Sequence, residues 1–228
     1  MVNYVVAAIK EWNIDAFKKH SVDLDGDWHI VGSPEELSIE FLNKTQPRYI
    51  FFPHWSWLVP DEITDNYECV CFHMTDVPYG RGGSPLQNLI ALGHKDTKLT
   101  ALRMVAELDA GPVYGKIDLS LEGSAQAIFE RAAELVYDLI EKIISNEPEP
   151  VDQQGEAVLF QRRSPEQSKM PESADLSQLF DHVRMLDAES YPHAYIEYGD
   201  FTFEFKNANK QDEELVCSVK ITKSKKCN

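Results

Sequence analysis

Short apolar runs that alternate with helix-like segments constrain the fold of this chain more than any other feature. Four such runs predict strands in the first half of the sequence, at residues 4–9, 28–31, 49–52 and 69–72. Strands that alternate with helices form a parallel sheet with helices on both faces. The first half therefore predicts an α/β fold with a mostly parallel sheet.

Capping residues predict where the helices begin. Asn13 is the expected N-cap of a helix after the first strand, and Ser33 is expected to cap a helix that Pro34 begins. Ser84 and Pro85, followed by the run LQNLIALG, give the clearest helix start in the sequence. These three starts place helices between the predicted strands.

A linker rich in proline and acidic residues divides the chain. Residues 146–156, NEPEPVDQQGE, contain two prolines and four acids. We therefore predict one domain at residues 1–150 and a small C-terminal α+β module at residues 151–228. The other predicted elements are strands at 99–105 and 113–119, a long helix after Ser124, a strand near 158–161, a helix at about 175–186, a hairpin of 195–198 and 201–205, and a last strand at 215–221.

The composition argues against several classes of protein. At 228 residues and 26.0 kDa, with 43% hydrophobic residues, the chain is long enough for a globular domain. A formal net charge of −16 repels polyanions, which predicts no nucleic-acid partner. No apolar run approaches the roughly 20 residues of a membrane span, and the N-terminus lacks a basic signal-peptide region. We expect no membrane partner and a cytoplasmic location.

The cysteines predict neither a disulfide framework nor a metal site. Cys69 and Cys71 lie two residues apart on a predicted strand, where their Cα atoms would be roughly 6.5 Å apart, at the far edge of bridging range. Together with Cys217 and Cys227, they are expected to be free thiols. The cysteines and histidines lack zinc-site spacing, so no metal is expected.

One segment carries a more specific pattern: residues 71–111, CFHMTDVPYGRGGSPLQNLIALGHKDTKLTALRMVAELDAG. A histidine ends a strand, a proline follows, Arg-Gly-Gly-Ser-Pro opens a helix, and Leu-Asp-Ala-Gly closes the segment. This resembles the folate-dependent formyltransferases, which share Asn-x-His, a proline, Arg-Gly-x-x-Pro, Gly-x-Thr and Leu-Asp-x-Gly. The matching residues are His73, Pro78, Arg81, Gly82, Pro85, Thr100, Leu108, Asp109 and Gly111.

Later residues resemble one branch of that family, the N-formyltransferases of nucleotide-linked amino sugars. The segment Arg-Arg-Ser-Pro-Glu at 162–166 and the stretch VRMLDAESYPHAYIEYGDFTFEF are similar to that branch. The resemblance implies a Rossmann-like domain with a C-terminal module, and N10-formyltetrahydrofolate as co-substrate. It also implies formyl transfer to a UDP- or dTDP-linked 4-amino-4,6-dideoxy sugar of a bacterial surface polysaccharide pathway, including pseudaminic-acid-type routes.

Formyl transfer to an amine needs a group that takes the amine proton and a group that stabilises an oxyanion. By the resemblance, His73 serves as general base or holds charge, and Asp109 orients and stabilises its imidazole. Cys71 stands where the family has an asparagine that is thought to donate to the oxyanion. A thiol is a poor donor, so His73 itself, Gln87, Asn88 or a fixed water is the expected substitute.

The resemblance implies a pterin pocket after the third strand, and residue types and positions suggest a second set that binds the substrate. The co-substrate is expected at a pterin pocket, and a substrate phosphate, sugar or base at glycine-rich and strand-end positions. Core packing and an ordinary turn remain the alternatives. The co-substrate set is Trp57, Leu58, Leu108 and Asp109, and the substrate set is Lys10, Trp12, Arg81, Gly82 and Gly83.

Other functions remain open. One is a formyltransferase of the glycinamide-ribonucleotide type or a formyl-folate hydrolase. Another is a non-catalytic folate- or nucleotide-sugar-binding homologue, for which Cys71 is the strongest reason. A homodimer is one expectation, in which an aromatic-rich hairpin forms the contact between subunits. The alternative is that the same hairpin packs inside one molecule. The hairpin residues are Tyr191, Tyr195, Tyr198, Phe201, Phe203 and Phe205.

Overall fold

The structure of the chain is a computed structural model that describes residues 1–189 and 191–224. Its internal contacts separate two compact units. The predicted boundary between residues 150 and 151 falls inside the last segment of unit 1, and the two-domain division stays a prediction. Unit 1 comprises Met1–Gly82, Thr97–Leu119 and Glu130–Leu159, and unit 2 comprises Gly83–Asp96, Ser120–Phe129 and Phe160–Asn228.

A six-stranded sheet forms the centre of unit 1, in the spatial order β2 (Asp27–Val31), β1 (Asn3–Ala8), β3 (Tyr49–His54), β4 (Cys69–His73), β6 (Asp96–Arg103) and β7 (Val113–Ser120). Strand β1 pairs in parallel with β2 and β3, and β3 with β4, whereas β4 and β6 run antiparallel. The predicted mostly parallel α/β fold is therefore confirmed. The strands are β1 (Asn3–Ala8), β2 (Asp27–Val31), β3 (Tyr49–His54), β4 (Cys69–His73), β5 (Tyr79–Gly82), β6 (Asp96–Arg103), β7 (Val113–Ser120), β8 (Val158–Phe160), β9 (Ala194–Tyr198), β10 (Phe201–Gln211) and β11 (Glu214–Lys223).

The central strands are buried because helices cover a sheet of this kind on both faces. Residues Val5 to Ala8 and Ile50 to Phe52 are at most 2% exposed. The helices are α1 (Glu11–His20), α2 (Ile39–Thr45), α3 (Asp61–Asn66), α4 (Pro85–Ala91), α5 (Ala125–Asn146) and α6 (Leu176–Arg184).

Two of the three predicted helix starts need correction, and the third is confirmed. Helix α1 begins after Lys10, so Asn13 is a buried residue of its first turn and not its cap. Helix α2 begins after Ser38, whose Oγ accepts from the Phe41 amide; Ser33 closes only a turn, by accepting from Glu36. Helix α4 begins at Pro85 directly after Ser84, as predicted, but Ser84 has a left-handed φ of 50° and its Oγ accepts from the Arg163 amide and not from the helix.

A two-stranded sheet of β5 and β8 was not predicted. Within unit 1, the Val158 amide donates to the Pro78 carbonyl oxygen at 3.0 Å. The chain that follows the linker is thereby held beside Pro78 of the motif segment.

Unit 2 contains the antiparallel sheet β11-β10-β9, against which α6 packs. Tyr198 pairs with Phe201, which confirms the predicted hairpin. Tyr198 is 76% exposed and Phe201 48%, and the homodimer stays a prediction. The guanidinium of Arg184 is buried; it donates to Asp181 and to the carbonyl oxygens of Leu121 and Gly123.

Two further sequence expectations can be compared with the described residues. Across residues 1–189 and 191–224, no helix is long and apolar enough to cross a membrane. Cys69, Cys71 and Cys217 are free thiols, as expected, and Cys227 lies outside the described residues.

Candidate active site

His73 ends strand β4 and is 8% exposed. Its Nε2 lies 2.8 Å from the carbonyl oxygen of Gly80. A carbonyl oxygen only accepts hydrogen bonds, so Nε2 carries the proton in this arrangement. The other ring nitrogen, Nδ1, faces the Oδ2 atom of Asp109 at 3.5 Å. The structure therefore brings together the two side chains that the motif assigned to catalysis.

Asp109 lies in the turn between β6 and β7. Its backbone has a left-handed φ of 53°, a conformation that Asp adopts more readily than most residues. Its Oδ2 accepts from the Gly82 amide at 2.9 Å, and its carbonyl oxygen accepts from Nε2 of Gln153 at 2.8 Å. Both the carboxylate and the peptide of Asp109 are thus held in place.

The pairing of His73 with Asp109 suits proton uptake. With the proton on Nε2, the neutral imidazole of His73 directs the lone pair of Nδ1 at Oδ2 of Asp109. Both atoms are then hydrogen-bond acceptors, so no hydrogen bond forms between them. A second proton on Nδ1 converts this arrangement into a charge-assisted hydrogen bond. The two side chains are only 9% and 11% exposed, so little water screens the interaction. The pair can accept a proton and hold it beside the carboxylate.

Cys71 precedes His73 by two residues on β4, which places both side chains on the same face of the sheet. Burial, and secondarily the charge of Asp109, raises the pKa of the Cys71 thiol to about 12. At neutral pH Cys71 is therefore a protonated thiol, neither a nucleophile nor a strong donor.

Two of the expected substitute donors are already engaged within unit 2. The side-chain amide of Gln87 donates to the Met185 carbonyl oxygen. That of Asn88 donates to the carbonyl oxygens of Gly83 and Gln161. His73, the third side chain proposed to replace the family asparagine, lies beside Asp109 within unit 1.

Arg81 makes contacts inside unit 1 that explain its position without a ligand. Its Nε and Nη2 donate to Oε1 of Gln153 at 3.0 and 2.8 Å, and its Nη1 lies 3.5 Å from the Glu107 carboxylate. Gly82 uses its amide to hold Asp109. A phosphate role for Arg81 and Gly82 stays a prediction.

Gly83 has a structural explanation. A Cβ atom added to it would lie 2.6 Å from the Cα of Arg162, and the Gly83 amide donates to the Phe160 carbonyl oxygen. The lack of a side chain therefore lets two backbone segments of unit 2 approach each other. The substrate role of Gly83 stays a prediction.

The residues predicted to line a pterin pocket are exposed to different degrees. Trp57 is 46% exposed and its ring lies 5.0 Å from that of Trp55. Leu58 is 94% exposed and Leu108 68%. Their apolar surface is open in this structure, and whether a pterin ring covers it stays a prediction.

Lys10 and Trp12 lie at a topological switch point of the sheet. Strand β1 leads to β2 on one side and neighbours β3 on the other, which is where open α/β sheets bind ligands. The Lys10 Nζ lies 5.7 Å from the Trp12 ring, which stands perpendicular to His54. Burial, with a contribution from the charge of Lys10, lowers the pKa of His54 to about 4. The substrate role of Lys10 and Trp12 stays a prediction.

Gln153 was missed by the sequence analysis. Its Nε2 donates to the carbonyl oxygens of Asp109 and Gly111, both at 2.8 Å, while its Oε1 accepts from Arg81. It stands in a polar linker beside a second glutamine, Gln154, and no local signal separates the two. Only the folded structure shows its contact with the site.

Comparison with known proteins identifies methionyl-tRNA formyltransferases as relatives. The sequence model of the methionyl-tRNA formyltransferase C-terminal domain matches residues 165–222. The structure of methionyl-tRNA formyltransferase from Clostridium thermocellum is 42% identical, with a TM-score of 0.95 over 98% of this chain and 100% of that chain. This similarity extends over the whole fold, including both units.

Curated relatives are longer than this chain. Methionyl-tRNA formyltransferase from Rickettsia bellii is 26% identical over 185 residues, which are 78% of this chain and 60% of the relative. The share of such relatives that the chain spans lies between 50% and 62%.

More distant solved structures share the fold. HypX from Aquifex aeolicus in complex with tetrahydrofolic acid is 18% identical, with a TM-score of 0.77 over 93% of this chain and 38% of that chain. A sugar N-formyltransferase from Shewanella is 13% identical, with a TM-score of 0.73 over 93% of this chain and 99% of that chain.

The prediction of a nucleotide-sugar substrate is wrong, because the relatives with substantial identity are methionyl-tRNA formyltransferases. The segment that suggested the sugar branch has a structural role. Ser164 and Gln167 form a reciprocal cap around the short helical turn Pro165–Ser168, and Arg163 donates to the Gln167 carbonyl oxygen. A capped turn of this kind does not distinguish one substrate from another.

The exclusion of a nucleic-acid partner is wrong for the same reason, since the relatives are named for acting on a tRNA. The net charge of the whole chain was a poor guide to nucleic-acid binding, because the acidic residues are unevenly distributed between the two units. Unit 1 contains 24 acidic and 11 basic residues, whereas unit 2 contains 14 and 11, so unit 2 has a net charge of only −3. A whole-chain value cannot describe a local binding surface.

The motif at residues 71–111, the pairing of His73 with Asp109, and 42% identity over 98% of the sequence agree with one another. The chain belongs to the formyltransferase family.

Proposed function

We propose that the chain transfers a formyl group from N10-formyltetrahydrofolate to the α-amino group of methionyl-tRNA. The observation that carries this proposal is the 42% identity with the methionyl-tRNA formyltransferase from Clostridium thermocellum, over 98% of this chain and all of that one. The co-substrate agrees with the tetrahydrofolic acid bound by HypX, a neighbour in fold. The cytoplasmic location stays a prediction.

The proton chemistry is assigned to His73 and Asp109. The co-substrate supplies the formyl carbon, which the neutral amine attacks. The amine nitrogen then loses a proton, which Nδ1 of His73 accepts on the side that faces Asp109. The same proton leaves Nδ1 for the departing folate nitrogen, so the imidazole returns to its neutral form. The carboxylate stabilises the imidazolium between the two transfers.

The site residues are suited to the co-substrate. Trp57, Leu58 and Leu108 expose apolar surface that a pterin ring would cover. His73 and Asp109 are mostly buried, so the proton is held away from bulk water. The binding assignments rest on these exposures together with the family resemblance.

The test measures formylation of methionyl-tRNA by the purified chain supplied with N10-formyltetrahydrofolate, with glycinamide ribonucleotide as a comparison amine. We expect formylmethionyl-tRNA, and we expect His73→Ala and Asp109→Asn each to lower kcat by about 10² or more. Asp118→Asn is the matched control, because Asp118 is an 88% exposed carboxylate of β7. Formylation of glycinamide ribonucleotide but not of methionyl-tRNA would refute the proposed acceptor. Near wild-type turnover in His73→Ala or Asp109→Asn would refute the assignment of these residues to catalysis.

A binding protein without turnover is the second candidate, and Cys71 is the observation that favours it. The family asparagine is replaced by a partly buried thiol whose pKa is raised to about 12. Calorimetric binding of tetrahydrofolate without any formyl product would support this candidate. Measurable turnover on methionyl-tRNA would exclude it.

A further inference from the structure

Gln153 belongs to a closed circuit of hydrogen bonds around Asp109. Its Oε1 accepts from Arg81, and the next residue, Gly82, donates its amide to the Asp109 carboxylate. The circuit closes where Nε2 of Gln153 donates to the carbonyl oxygen of Asp109 and to that of Gly111. All five residues belong to unit 1.

The orientation of the Gln153 amide is fixed by its partners. Two carbonyl oxygens can only accept, and the guanidinium of Arg81 can only donate. A flipped amide would lose all four hydrogen bonds, so Arg81 effectively determines which side of Gln153 faces Asp109. Gln153 is partly buried, which strengthens these bonds relative to exposed ones.

The circuit acts on a residue whose backbone conformation is unfavourable on its own. Asp109 has a φ of 53°, and left-handed conformations of this kind cost free energy unless neighbouring groups hold them. Gln153 holds the peptide while Gly82 holds the carboxylate. The carboxylate in turn faces Nδ1 of His73 at 3.5 Å.

We propose that Gln153 is a positioning residue that sets the direction of the Asp109 carboxylate toward His73, with Arg81 fixing its amide. The proposal rests on the proposed formyl transfer for its catalytic consequence, but its structural part stands independently. Gln153 thereby connects the linker to the proton-accepting pair.

Gln153→Glu tests the two sets of hydrogen bonds of Gln153 separately, those that it accepts from Arg81 and those that it donates to Asp109 and Gly111. The carboxylate keeps an acceptor for Arg81 but has lost the donor to Asp109 and Gly111. We expect kcat for methionyl-tRNA to fall about 10- to 100-fold, as misplacement of a catalytic group does, while KM for both substrates stays within about twofold. Gln154→Glu is the matched control, since this exposed neighbour donates to the Asp152 carbonyl oxygen. Equal kcat in the two variants would overturn the proposal.

A second measurement does not depend on activity. Hydrogen exchange of the Gly82 amide reports its bond to Asp109, and exchange of the Val158 amide reports the adjacent bond to Pro78. We expect Gln153→Glu to speed exchange at Gly82 by about tenfold and to leave Val158 unchanged. Faster exchange at both amides would mean local unfolding and would overturn a positioning role, as would unchanged exchange at Gly82.

Gln153→Met provides a variant of similar shape without polar atoms, should the glutamate fail to fold. It should produce the same selective change at Gly82. If the wild-type chain forms no formylated product, the proposed function fails, and the comparison of the two amides still decides the role of Gln153. If the wild type is active and Gln153→Met matches Gln154→Glu in kcat and in Gly82 exchange, the positioning role fails alone.

Discussion

Replacing Cys71 by asparagine tests how this site stabilises a developing oxyanion. Cys71 shares a strand face with His73, and the charge of Asp109 contributes to its raised pKa, which places the thiol near the proposed reaction centre. With a pKa of about 12, only about 1 in 10⁴ to 10⁵ of these thiols is ionised at pH 7.5. The side chain therefore offers a weak neutral donor where the family pattern has an amide.

The size of the effect follows from the lost donor. Removing one oxyanion donor typically costs about 10² to 10³ in rate, or about 2.7–4 kcal/mol. Restoring it in Cys71→Asn should raise kcat by up to that factor, if this position limits the reaction. Cys71→Ala should leave kcat within about twofold of wild type, because a thiol is a weak hydrogen-bond donor and stabilises an oxyanion only slightly.

The assay is steady-state formylation of methionyl-tRNA by the three proteins at one pH, with thermal unfolding measured alongside. A buried amide left without a partner costs about 1–3 kcal/mol, so a lower Tm with higher kcat is the expected combination for Cys71→Asn. A neutral or slower Cys71→Asn enzyme with normal folding would refute the reasoning. It would show that one of the substitute donors expected from the sequence, such as the protonated imidazole of His73, already stabilises the oxyanion, so that Cys71 does not limit the rate.

Three further predictions concern stability and reactivity. The pKa of His54 is about 4 in the folded protein and about 6.5 in the unfolded chain, so the unfolded chain takes up a proton first as the pH falls. The free energy of unfolding therefore decreases from about pH 6.5 downward. Urea unfolding should show about 2 kcal/mol of loss between pH 7.5 and 5 that His54→Gln lacks. Arg184→Met removes the buried guanidinium that donates to Asp181 and to two carbonyl oxygens, and should lower the unfolding free energy, measured by urea unfolding, by about 3–5 kcal/mol. A loss below about 1 kcal/mol would contradict a stabilising role for these hydrogen bonds. Cys69 and Cys71, both with a pKa of about 12, should resist iodoacetamide at pH 8 until urea is added, as read by mass spectrometry; rapid labelling of the native protein would contradict these raised pKa values.

Strand positions were predictable because buried parallel strands appear as continuous apolar runs. The run at residues 49–52 became β3, Tyr49–His54. Helix starts were less predictable, because a capping residue type is only a preference. Asn13 looked like an N-cap, but tertiary packing buried it in the first turn after Lys10.

The site was predictable only where its members lie in one motif. His73 and Asp109 have family spacing, and the structure places them 3.5 Å apart. Gln153 lies 44 residues after Asp109, so its contact depends on how the linker returns to unit 1. The substrate branch was mispredicted because the segment around Ser164 is a capped turn, so its sequence pattern reflects local structure and not the substrate.

The turn that holds Asp109 also limits how this sequence can vary. A Cβ atom on Gly111 would lie 1.8 Å from the Arg103 carbonyl oxygen, a rigid backbone atom. A saturation library at position 111 that is selected for folded protein should therefore return mainly glycine. Position 109 is different, because asparagine tolerates the same left-handed backbone and has nearly the same shape. Relatives that have lost the chemistry would thus be expected to drift to asparagine at 109 while retaining glycine at 111.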